Sequence, residues 1–210
     1  ISYDEMFELS RLGSAVIHSR SVEFAKKYGV HVRVRSGSDY EEGTVIMSKE
    51  ELMERHIISG VTSKNDQAKI TIRDIPDKPG IAESLFNALG DRKICVDMIV
   101  QSTGKNNLTT ISFTILKKDL AVVKDICEIL KREWNASEVS TKEDIAIVSA
   151  VGAGMISGYG IAGRMFRTLA AHNINIEMIS TSEIGISCVV DAIYSELAVK
   201  AIHKEFIESK

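Results

Sequence analysis

The 210-residue sequence contains no apolar run approaching the eighteen or more residues that a membrane-spanning helix needs, and no basic stretch followed by an apolar core at its start. The reading is a cytoplasmic protein with no membrane partner. Aromatic residues are few, with one Trp, five Tyr and six Phe, and the basic residues are scattered under a net charge of −3. Neither a basic stripe nor a stacking platform for nucleic acid is present, so that partner class is set aside. Cysteine is sparse and odd in number: Cys95, Cys127 and Cys188 lie far apart in apolar segments, which fits reduced core thiols better than a disulfide framework or a zinc site. His18 has no further ligand at metal spacing and no metal site is expected. Neither His172 nor His203 has a Ser or Cys nucleophile with an orienting acid nearby, so no hydrolytic site is expected.

What remains is the composition of a soluble globular protein, 44% hydrophobic and 26% charged, long enough for one large or two small domains. The chain contains itself twice. Asp77–Ser102, DKPGIAESLFNALGDRKICVDMIVQS, recurs as Ser157–Ser182, SGYGIAGRMFRTLAAHNINIEMISTS, with nine identities in twenty-six ungapped positions. Each copy reads as a tight loop, an amphipathic helix with apolar residues at 81, 82, 85, 86 and 89 or their counterparts, and a strand. A repeat of this length is too long for a solenoid unit, which points to two small domains with separate cores.

In chain order, Met6, Leu9 and Leu12 predict a short helix stopped at Gly13, and Ser19–Tyr28 a second helix closed by Gly29. His31–Arg35 alternates like a strand with Arg33 and Arg35 on one face; these and Arg20 read as solvated charges or as groups facing an anion. Ser36–Thr44 is a polar loop, Lys49–Glu54 is helical in tendency, Ile57–Thr62 a short strand and Ser63–Asp66 a turn. Ala68–Arg73 starts the first repeat with Ile70 and Ile72 inward. Thr109–Leu116 is a strand, Leu120–Arg132 a helix and Glu138–Thr141 a weak last strand. The second repeat uses Ile145–Val151, the common core, Ile184–Val190 and a helix over Leu197–Ile207. Two βαββα(β) units imply antiparallel sheets with helices on one face, the ferredoxin-like plan.

Three stretches carry a family resemblance. ISYDEMFELSRLGSAVIHSRSVEFAKKYGVHVRVRS, residues 1–36, is similar to the C-terminal end of the catalytic domain of aspartate kinases, departing where Ser19 replaces a usual proline. The DKPG loop with CVDMIVQS, and VGAGM with NINIEMISTSEIGIS, resemble ACT domains, the amino-acid-sensing modules that occur in tandem in the regulatory half of the same enzymes. The resemblance implies an α+β chain of two ferredoxin-like βαββαβ ACT domains preceded by the tail of an α/β kinase domain. Its expected divisions are 1–45 kinase tail, 46–64 linker and a strand joining the second ACT sheet, 65–141 first ACT domain and 142–210 second. The KFGG motif and the remaining nucleotide and aspartate sites of the family are missing, so the chain is expected to be inactive alone and to hold no cofactor, with ATP and Mg belonging to the full-length enzyme. The first residue is Ile rather than Met, which reads as part of something longer.

A free amino acid presents a carboxylate and an ammonium, and the first copy offers groups for both. The N–H groups of Gly80, Ile81 and Ala82 at a helix start can receive the carboxylate, Asp77 the ammonium, and Gln101, placed by the strand period on the face of Asp97 and Ile99, can donate and accept. The second copy lacks the Asp and Pro of that loop but offers Asn173, Asn175, Thr181, Ser182 and Glu183, of which Thr181 and Ser182 also read as ordinary strand-end hydroxyls. The family implies effector sites where two ACT domains meet, lysine and threonine as effectors, a homodimer through ACT domains, and a kinase domain or catalytic subunit as partner. The function expected is feedback regulation of aspartate phosphorylation. The alternatives are a ligand-free dimerisation scaffold and a nucleotide-binding module on Gly152–Gly154, the latter disfavoured because the third glycine of the fingerprint falls at Ser157.

Overall fold

The structure is a computed structural model that describes residues 1–38, 41–52, 56–104 and 106–208. Its helices and strands are, in order, α1 Tyr3–Arg11, α2 Ser19–Tyr28, β1 Val32–Val34, β2 Thr44–Ile46, β3 Gly60–Pro76, α3 Ile81–Asp91, β4 Val96–Thr103, β5 Leu108–Leu116, α4 Leu120–Trp134, β6 Glu138–Val151, α5 Ile161–Ala171, β7 Met178–Thr181, β8 Gly185–Asp191 and α6 Ser195–His203. Two compact units result: an inserted unit, Asn65–Ala146, and a discontinuous unit made of Ile1–Lys64 and Ile147–Lys210. β3 begins in the discontinuous unit and ends in the inserted one; β6 does the reverse.

In the inserted unit the sheet order is β4-β5-β3-β6. β5 pairs antiparallel with both neighbours, Ile70 opposite Phe113 and Gln101 opposite Ile111. With α3 between β3 and β4 and α4 between β5 and β6, this is the ferredoxin-like βαββαβ arrangement, as the sequence pattern implies. Ala68, Ile70 and Ile72 alternate into a core with Leu85 and Leu89 of α3 and Val123, Cys127 and Leu130 of α4. Each fully buried Ile or Leu contributes about 1.5–3 kcal/mol of transfer free energy, so this stripe-on-face packing is what defines the unit. Phe86 meets Phe113 edge to face, with centroids 5.8 Å apart.

The discontinuous unit repeats the plan with order β3-β6-β8-β7, the opening of β3 supplying its outer strand. The Ser59 N–H donates to the Val151 carbonyl at 2.7 Å, just ahead of that strand. Ile161, Met165 and Leu169 of α5 and Ala198 and Ile202 of α6 are buried with Ile147, Cys188 and Val190. The first fifty residues add a small cluster of Tyr3, Met6, Val22, Ala25 and Ile46, closed by the β1–β2 ribbon. α1 opens with a capping box in which the Ser2 side chain accepts from the Glu5 N–H and the Glu5 carboxylate accepts from the Ser2 N–H. α2 has the expected bounds, ending on Gly29 in the left-handed region.

Several local readings change. No turn interrupts 63–66: β3 runs through as one strand of 17 residues, with Asp66 at φ 57°. Asp tolerates the left-handed region through its short polar side chain, so the backbone can kink there without leaving the sheet. The segments 138–141 and 145–151 are likewise one strand, β6, with Asp144 at φ 55°. Ile57–Ser59 precede the strand rather than begin it, and Lys49–Glu51 form a 3₁₀ turn; residues 53 and 54 of that predicted helical stretch lie outside the described residues. The final helix ends at His203 and passes into a π turn, Lys204–Glu208. Cys127 and Cys188 are buried, but Cys95 is exposed, because Ile94 and Val96 on either side of it take the packing positions.

Candidate functional site

α3 and α5 start alike. Gly80 at φ 93° and Gly160 at φ 75° are their N-caps, and neither helix start receives a side-chain cap. A Cβ built on either glycine would meet open space, so what favours glycine at both positions is the left-handed backbone rather than a steric neighbour. The first N–H groups of a helix lack intrahelical acceptors and carry its positive dipole end, so each start can receive a carboxylate.

At α3 this start opens into a cleft of about 340 Å³ lined by Pro76, Lys78, Gly80, Ile81, Glu133 and Trp134 among others. Ile81 is otherwise buried in the core and Ala82 is half-buried. Asp77 is exposed, its N–H donating to the Asn107 carbonyl at 2.8 Å, and it is not among the cleft-lining residues. Nor is Gln101, which is exposed on β4 and stands opposite Ile111, itself opposite Ile72. On β5 the partners of Gln101 and Pro76, Ile111 and Leu108, are three residues apart, roughly 10 Å along the strand direction at about 3.3 Å per residue. The cleft therefore gathers Gly80 and Ile81 but not Asp77 or Gln101.

The face assigned to Gln101 also needs correction. A bulge between Val96 and Ile99 breaks the alternation, so Ile99 and Gln101 share the side of Phe113 and Ile111. Asp97 turns the other way. With its amide oriented to satisfy both groups, Gln67 donates to Asp97 Oδ2 at 2.9 Å and to the Ile115 carbonyl at 3.0 Å. The sequence reading missed Glu133 and Trp134; continuing the stripe Val123, Cys127, Leu130 by one more turn reaches Trp134.

In the second copy the predicted polar residues do not form one cluster. Asn173 sits at φ 54° after α5, the conformation Lys93 adopts at φ 57° after α3, so its place is explained by the turn. Asn175 and Thr181 are exposed, Thr181 at the end of β7 and Asn175 three residues before that strand begins. Ser182 is at the β7–β8 turn, its N–H donating to the Gly185 carbonyl at 2.8 Å and its hydroxyl to Glu8 Oε1 at 3.4 Å. Gly152 and Gly154 do not cradle a ligand. A Cβ on Gly152 would collide with the backbone of Ile57 and Ile58, and one on Gly154 would come within 2.8 Å of the His56 carbonyl oxygen, so these glycines permit close backbone packing.

A group that the sequence reading did not single out holds this junction. Glu5 is 3% exposed, yet its carboxylate accepts from Ser59 Oγ at 2.6 Å, the Ala153 N–H at 2.8 Å, and the Ser2 N–H and Oγ at 2.9 and 2.7 Å. Burial pushes its carboxyl upward, but the Ser59, Ala153 and Ser2 donors together outweigh that and hold it below the ordinary 4.5. One charge thus joins α1, the approach to β3 and the turn after β6. Among the described residues no His, Cys, Asp and Glu group could hold a metal ion, and no helix is long and apolar enough to cross a membrane.

The ACT domain family model matches residues 73–128 and 148–206, more than half of the chain. The chain belongs to the ACT domain family, with two copies in tandem. It is 44% identical over 207 residues to an aspartate kinase of Stutzerimonas stutzeri, a match covering 98% of this chain and 50% of that protein. Its fold matches the aspartate kinase of Clostridium acetobutylicum with a TM-score of 0.86 at 27% identity, over 98% of this chain and 48% of that one. It also matches the regulatory subunit of aspartate kinase from Thermus thermophilus with a TM-score of 0.66 at 38% identity, over 71% of this chain and 99% of that one. The chain thus spans about half the length of the curated relatives it matches, and its likeness is to the regulatory region of aspartate kinases.

Proposed function

We propose that this chain is the amino-acid-sensing region of an aspartate kinase, binding end products, lysine or threonine, to restrain ATP-dependent phosphorylation of aspartate elsewhere in the enzyme. The observation that carries this reading is the pair of uncapped helix starts on left-handed glycines, one in each ACT module, with the α3 start open to a cleft. At that start the N–H groups of Gly80, Ile81 and Ala82 take the ligand carboxylate, and Asp77, outside the cleft like Gln101, comes from the partner copy to take its ammonium. Gln101 lies away from the cleft in the same copy, which suits a site completed where ACT modules of two copies meet, Gln101 coming from the partner copy. The chain carries no catalytic residues or cofactor of its own in this reading, ATP and Mg belonging to the kinase domain, and it works in the cytoplasm. An effector that prefers one arrangement shifts the population toward it by its differential affinity, and this difference is what reaches the kinase domain.

The assembly has its own support. β4 and β7 are edge strands of their respective sheets, and each exposes an isoleucine at the equivalent repeat position, Ile99 at 52% and Ile179 at 43%. Apolar side chains on an unpaired edge favour pairing with a second copy. A pure scaffold would use the same edges, so calorimetric titration with lysine, threonine and methionine, singly and paired, separates the two readings. Saturable heat with any of them supports sensing; none with any of them leaves the scaffold.

A further inference from the structure

The largest of the clefts described lies outside the α3 site, entirely within the discontinuous unit, and has a volume of about 510 Å³. α1 forms one of its walls. That helix buries Tyr3, Met6 and Leu9 and turns the stripe Asp4, Phe7, Glu8 and Arg11 to the cleft, the 3–4 spacing of a single helical face. Facing it are Ser182, Glu183 and Ile184 of the β7–β8 turn, with Lys49 and Ala153 beside them. Asp4 is engaged by Lys26 at 2.5 Å and Glu8 by Arg11 at 3.6 Å, so the charged groups the cleft offers are the Glu8–Arg11 pair, Glu183 and Lys49.

We infer that this cleft is a second effector site, taking a free α-amino acid, a proposal that rests on the reading of the chain as an amino-acid sensor. Its two charge types match a zwitterion that takes the place of the 3.6 Å Arg11–Glu8 contact: the carboxylate lies toward Arg11 and Lys49 and the ammonium toward Glu8 and Glu183. Ser182 Oγ, which already reaches Glu8 Oε1 at 3.4 Å, supplies a neutral partner, and Phe7, Ile156 and Ile184 give apolar wall for the ligand side chain. A cleft of this size, partly apolar with a few convergent polar groups, is of the kind that holds small molecules.

A second observation says what occupancy does. Ala153 lines the cleft, and its N–H is one of the four donors to the buried Glu5 carboxylate, which is a single helical turn from Glu8. A ligand there therefore presses on the junction that fixes α1 to the ACT module, and α1 belongs to the segment resembling the kinase tail. Effector binding here reads out on the tail itself.

The test is calorimetric titration of the 210-residue chain with lysine, threonine and methionine, carried out on wild type, on Asp77→Ala/Gln101→Ala, and on the same double variant with Arg11→Ala or Ser182→Ala added. Binding that survives the double variant, weakens at least tenfold on adding Arg11→Ala and several-fold on adding Ser182→Ala is expected. Circular dichroism controls for folding, and ligand-dependent slowing of amide exchange at Ala153 and Glu5 reads the site without any substitution. If all binding disappears in Asp77→Ala/Gln101→Ala while Arg11→Ala and Ser182→Ala change nothing, the cleft is not a site and the sensing role stands. If no amino acid binds the wild-type chain, the sensing role falls and this site with it.

Discussion

Ser59 Oγ lies 2.6 Å from Glu5 Oε1, a contact that joins the approach to β3 to a helix 54 positions earlier in the chain. The same oxygen takes the N–H of Ala153, 148 positions from Glu5. Removing the carboxylate strands donors from three segments at once, and each unpaired buried donor costs about 1–3 kcal/mol. Glu5→Ala is expected to lower the unfolding free energy of the discontinuous unit by about 3 kcal/mol and Glu5→Gln by less, measured by urea unfolding followed in the far ultraviolet.

The pH dependence has a definite sign. Glu5 is held below its ordinary value in the folded chain, so its contribution is fully present above the unfolded carboxyl range near 4.5 and is lost as pH falls through the lower folded value. As pH falls below the unfolded carboxyl range, the wild-type urea midpoint should drop more steeply than that of Glu5→Gln. Parallel curves for the two proteins would assign the acid sensitivity to other carboxylates.

The glycines separate into two kinds that a thermal melt can tell apart. Gly80→Ala and Gly160→Ala have open space but must hold a left-handed backbone, at a cost of about 1 kcal/mol. Gly152→Ala and Gly154→Ala need the backbone of residues 56–58 to move and should cost more than about 2 kcal/mol. Equal losses at all four positions would remove the packing explanation for the second pair.

Thiol reactivity should be split in the same way. Burial pushes the Cys127 and Cys188 thiols up to about 12, so both stay protonated and shielded at pH 8. Iodoacetamide should label Cys95 alone in the native protein and all three cysteines in urea, as counted by mass spectrometry. Rapid native labelling of Cys127 would mean that the α4 packing opens readily.

For the effector site, Asp77→Ala and Gln101→Ala should each weaken lysine or threonine binding about tenfold, equivalent to about 1.4 kcal/mol, with unchanged melting temperature. Ile99→Lys together with Ile179→Lys should shift the sedimentation coefficient toward that of a single chain by charging both exposed strand edges.

The periodic parts of this fold were legible in the sequence. Leu85 and Leu89 recur at helical spacing, Ile70 and Ile72 at strand spacing, and the repeat supplied the second module from the first. What escaped notice depends on single backbone choices or on distant partners. Asp66 and Asp144 look like turn residues, and only their left-handed kinks within continuing strands show otherwise. The bulge after Val96 moved Asp97 off the face of Gln101, which a strict period of two could not foresee. At the candidate site the uncapped helix starts followed from Gly80 and Gly160, whereas Trp134 and the donors to Glu5 come from other elements. The Ser2-x-x-Glu5 spacing is a local helix-start signal, and nothing in it reveals that Ser59 and Ala153 share the same carboxylate.

The division of the chain also sets a timetable. During vectorial synthesis Asn65–Ala146 forms a continuous unit that can close as soon as it emerges, because all its strands are then present. Ile1–Lys64 can pack its own small cluster, but its length of β3 stays unpaired until Ile147–Lys210 arrives to complete the other sheet. The discontinuous unit is thus completed after the inserted one, so a nascent chain stalled near residue 146 should carry one folded module with an unpaired, protease-sensitive strand ahead of it.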